Sequence, residues 1–110
     1  LDFHEIRIFL NYIDMKVNLK KQFVDFANPN KQQEEIWKLM SVALFNLNHI
    51  HGTELNAEQK YAAYLLCRKI SEHPESVDIT SEEAVMIKNV AAETLSAGAY
   101  GQIVDLIEKK

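Results

Sequence analysis

Val77-Asp78-Ile79-Thr80-Ser81-Glu82-Glu83-Ala84 contains the clearest start signal for a folded element in the chain. Thr80 followed by Glu83 reads as a capping box, in which the Thr hydroxyl accepts the N–H of Glu83 and the Glu carboxylate reaches back to the N–H of Thr80. Ile79 ahead of the cap and Ala84 four positions into the helix supply a small hydrophobic staple, and Glu82 and Glu83 suit the positive end of the helix dipole. Downstream, Ala84, Ile87, Val90, Ala91 and Leu95 recur at helical spacing, with Lys88, Asn89 and Glu93 directed away from them. Ser96-Ala97-Gly98-Ala99 interrupts the pattern, and Gly98 is expected to end the helix in the left-handed conformation. A last helix over residues 99–109 then buries Ile103, Val104, Leu106 and Ile107.

Upstream of the capped start, Asn56 followed by Gln59 opens a helix to about Glu72, before His73-Pro74. Tyr61, Ala62, Ala63, Tyr64, Leu65, Leu66, Cys67 and Ile70 make it apolar over most of its circumference, which places it at the centre of the expected core. Before it lies the longest periodic run, introduced by Asn30 and Gln33 and ending at Gly52. There Ile36, Trp37, Leu39, Met40, Ala43, Leu44, Leu47 and Ile50 fall on an arc of roughly 160°. Val42 and Phe45 fall outside that arc, among Lys38, Ser41 and His49, so another helix of the chain or another subunit covers them.

Ile13, Met15, Val17 and Leu19 alternate with Asp14, Lys16 and Asn18, a two-residue period that fits a short strand. Such a strand would pair with residues 77–79 as a minimal two-stranded ribbon. The spacing of Leu19, Phe23, Phe26 and Ala27 fits a helix over residues 18–28, stopped by Pro29. At the start of the chain, Asp2 with Glu5 and then Phe3, Ile6, Phe9, Leu10 and Ile13 indicate a helix over residues 3–12. The expected fold is all-α: a single helical domain over residues 1–110, a compact bundle of five or six short helices with room for the one ribbon.

The 110 residues are 47% hydrophobic, enough for one continuous core. Twelve basic and 16 acidic residues give a net charge of −4, which lacks the footprint of a phosphate-backbone binder. Lys16, Lys20, Lys21 and Lys31 are the residues that would seed a basic stripe in the alternative reading, a small helical regulator contacting nucleic acid. No apolar run reaches the roughly 18 residues of a membrane span, and no basic-then-apolar leader is seen, so a soluble protein with no membrane partner is expected.

Chemistry finds little support. His49 and His51 lie two apart and would point about 200° away from each other on a helix, unlike the i, i+4 pair that reaches one ion; Glu54 does not complete a set. The lone Cys67 sits in an apolar run without the oriented base that nucleophilic catalysis needs. Gly98 and Gly101 match neither phosphate-binding fingerprint. The expectation is a protein that is not an enzyme, with no catalytic residues, no metal and no cofactor. Its candidate contact surface is Val42 and Phe45 with Trp37 at the edge.

The second half of the chain resembles a family of small helical proteins encoded in phages and prophages. The likeness lies in Leu55-Asn56-Ala57-Glu58-Gln59-Lys60, in Val77 to Glu83 leading to Met86-Ile87-Lys88, and in Tyr100-Gly101-Gln102 before Asp105-Leu106-Ile107-Glu108. It covers about half the chain and departs at Ser96-Ala97-Gly98-Ala99, where related sequences carry a proline-containing apolar turn. The resemblance implies a phage- or prophage-derived accessory protein acting through protein contacts. The expected partner is a second copy or a phage structural protein, and the expected location is the cytoplasm or the virion. It carries no catalytic residues over to this chain.

Overall fold

The Thr80 capping box is formed: Glu83 N donates to Thr80 Oγ1 at 3.1 Å and Thr80 N donates to Glu83 Oε1 at 3.0 Å. In the computed structural model, which describes residues 15–109, this box stands between a strand and a helix. The element order is β1 (Met15–Val17), α1 (Ile36–Phe45), β2 (His49–Ile50), β3 (Thr53–Glu54), α2 (Ala57–Glu72), β4 (Val77–Ile79), α3 (Ser81–Thr94) and α4 (Ala97–Glu108). The expected all-α bundle of five or six helices is thereby corrected. Among the described residues four helices accompany two antiparallel two-stranded sheets, a mixed α/β globule. The helix expected over residues 3–12 lies outside the described residues.

β1 and β4 pair antiparallel, with Met15 opposite Ile79 and Val17 opposite Val77. The two-residue period sorts the ribbon's faces. Val17, Val77 and Ile79 are buried, and outward-facing Lys16 and Asp78 form an ion pair at 2.6 Å. The helix expected over residues 18–28 is absent because its backbone has longer-range partners. Leu19 N donates to Pro74 O, Leu19 O accepts from Trp37 N, Lys21 O accepts from Ile36 N, and Phe23 N donates to Glu34 O. Leu19 and Phe23 therefore contribute to an extended layer, and turns follow. Asp25 accepts Ala27 N on its side chain and Asn28 N on its carbonyl, the local bonding that Asp and Asn offer in place of a helix.

The same pairings shorten the long helix expected up to Gly52. Residues 34–36 are held by strand-like bonds to residues 21–23, so the helix begins at Ile36, with Glu35 as an extended N-cap residue whose side chain makes no cap bond. It ends at Phe45, and Asn46 closes it with its backbone N–H and its side-chain amide both donating to Val42 O. His51 (φ 54°) and Gly52 (φ 75°) are both left-handed and form the two-residue turn of the β2–β3 hairpin, as in a type I′ turn. Gly52 is thus a hairpin residue and not a helix cap.

α2 carries the expected capping box, with Gln59 N donating to Asn56 Oδ1 at 2.8 Å and Asn56 N donating to Gln59 Oε1 at 2.9 Å. Between α3 and α4 the stop differs from expectation. Leu95 ends α3 in an extended conformation, and Ser96 starts α4 by accepting Ala99 N on its side chain, which puts Gly98 inside the first turn. The core is filled by Met40 from α1, Ile70 from α2, Ile79 from β4, Ile87 and Val90 from α3 and Ile103 from α4, all fully buried. α1 packs against both α2 and α3, and α4 packs on α3. α1 and α3, each packed against two other helices, are therefore the central pair, and α2, expected at the centre, packs on α1.

Candidate functional site

α2 buries Ala63, Leu66, Cys67 and Ile70 on one stripe. Tyr61, Tyr64 and Leu65 fall on a second stripe of the same helix, and they are 61%, 47% and 41% exposed. The orientation of α1 follows from four bonds. Leu19 is bonded to both Pro74 and Trp37, so the start of α1 lies beside the end of α2. One turn along α1, Ser41 meets Ser71 Oγ at 3.0 Å and accepts the Cys67 thiol on its carbonyl at 3.3 Å. The helices are antiparallel, and Phe45, a further turn along, comes level with Ala63 and Tyr64.

Helical geometry then fixes which side is outermost. Met40 and Leu44 of α1 face the core and Ser41 faces α2, so Phe45 and Val42 turn outward, at 74% and 59% exposure. On α2, Cys67 and Ser71 face α1, and Tyr64 and Tyr61 follow outward of them. Val42 and Phe45 on α1 and Tyr64, Tyr61 and Leu65 on α2 are thus the exposed apolar residues of two adjoining helices. Tyr61 and Tyr64 are already stacked, with ring centroids 5.9 Å apart and planes inclined by 27°. Beside them Arg68 donates to Glu72 at 3.2 Å, and this bond together with one to Tyr64 raises the guanidinium pKa above its ordinary value.

The structure brings Val42 and Phe45 together but sets Trp37 apart. Trp37 lies two turns back along α1, half-buried against the core, with its indole N–H donating to Glu35 at 3.0 Å and Lys38 Nζ 5.9 Å from its ring. Tyr61, Tyr64 and Leu65 are not among the expected contact residues, because α2 reads as core over most of its circumference. The signal was present: positions 61, 64, 65 and 68 repeat at helical spacing opposite positions 63, 66, 67 and 70.

The residues considered for chemistry are placed elsewhere. Cys67 is buried and its thiol donates to Ser41 O, while Ser71 Oγ donates to Cys67 O at 2.8 Å. His49 stands opposite Glu54 on the hairpin and His51 sits in its turn, which corrects the helical placement of both. Among the described residues no three His, Cys, Asp or Glu side chains are grouped so as to hold a metal ion. Of the lysines considered for a basic stripe, Lys16 is paired with Asp78 and the other three are exposed around residues 20–31. Among the described residues no helix is long and apolar enough to cross a membrane. Comparison with known families, curated proteins and solved structures finds no match to the chain.

Proposed function

We propose that this is a non-enzymatic protein–protein interaction module whose docking surface is the outer face of α1 and α2. The supporting observation is that Val42 and Phe45 of α1 and Tyr61, Tyr64 and Leu65 of the adjoining α2 are each at least 41% exposed. Taking about 200 Å² per aromatic side chain and somewhat less for Val and Leu, these residues present about 500 Å² to water. Contiguous apolar patches of that size on small monomers are frequently binding surfaces. Aromatic anchors are the residue types that carry binding energy at such surfaces. A setting in phage particle assembly or prophage biology rests on the resemblance of the second half of the chain. The identity of the neighbouring genes tests it, since capsid or tail genes favour it and a metabolic operon counts against it.

The test of the surface is a photo-reactive residue placed in turn at Phe45, Tyr61, Phe26 and Val85, all exposed apolar positions. The reading expects adducts with protein from positions 45 and 61 and few from 26 and 85. Adducts spread evenly over the four, or none from 45 and 61, would reject it.

A further inference from the structure

We draw no further inference here: the strongest candidate, the exposed apolar residues on the outer side of α1 and α2, belongs to the surface already described, and nothing in the structure shows what covers it.

Discussion

Lys69 joins three elements, and replacing it with Met tests whether that junction is energetic or incidental. Its ammonium donates to both carboxylate oxygens of Glu83 at 2.8 Å and to Asp78 O at 3.0 Å, so a residue of α2 holds the edge of β4 and the first turn of α3. The side chains are 40% and 23% exposed. A fully exposed pair would contribute only about 0.2–1 kcal/mol, and a charged hydrogen bond out of water about 1.5–3 kcal/mol. Partial exposure places Lys69→Met between these, at about 1–2 kcal/mol of destabilisation, since Met keeps the apolar stem but leaves the Asp78 carbonyl and the carboxylate without their cation. Glu83→Gln keeps an acceptor for Thr80 N and should cost about half as much. Urea unfolding of the two single variants and the double variant gives the coupling, expected at about 1 kcal/mol. A shift in Tm of about 4–8 °C per kcal/mol provides a second reading. Lys69→Met unfolding within about 0.3 kcal/mol of the parent, with no coupling, would refute the argument.

Other consequences can be measured in parallel. Met40 is fully buried and Phe45 is 74% exposed, so Met40→Ala should cost about 2–5 kcal/mol in urea unfolding and Phe45→Ser less than about 0.5 kcal/mol. Equal costs would mean that Phe45 belongs to the core. Gly52→Ala adds a Cβ with no atom within 4 Å, yet at φ 75° it should still cost about 1 kcal/mol through the backbone alone; an unchanged stability would argue against the two-residue left-handed turn. The Gln102 amide both donates to Val24 O at 2.8 Å and accepts from Val24 N at 2.9 Å. Gln102→Ala should therefore speed hydrogen exchange at Val24 far more than at Ile103, and uniform acceleration would contradict a local tether.

What could be read in the sequence was what neighbouring residues decide among themselves. The boxes at Thr80 and Asn56 close over three residues, and both are present as read. The ribbon of residues 15–17 with 77–79 could also be found, because its alternation is short and strict. Residues 19–23 were misread because their backbone bonds go to residues 34–37 and to Pro74, partners that no local period reveals. Gly52 was ambiguous for a related reason: a glycine ends helices and also completes left-handed hairpin turns, and only the pairing of Ile50 with Thr53 decides. The candidate surface was half legible. Val42 and Phe45 stood out against a polar face, whereas the tyrosines of α2 lay hidden in a helix apolar all round. Two apolar stripes on one helix do not reveal which of them the chain itself buries.

The central claim is that the outer side of α1 and α2 docks against protein. The most direct measurement follows solvent paramagnetic relaxation of the Phe45, Tyr61 and Tyr64 ring protons in the purified chain at micromolar concentration, and again after addition of the protein trapped by the photo-reactive residues. The account expects strong relaxation in the chain alone and protection in the complex, with the Val85 methyls relaxed throughout. Unchanged relaxation of the three rings in the complex, or protection shared equally by Val85, would contradict it.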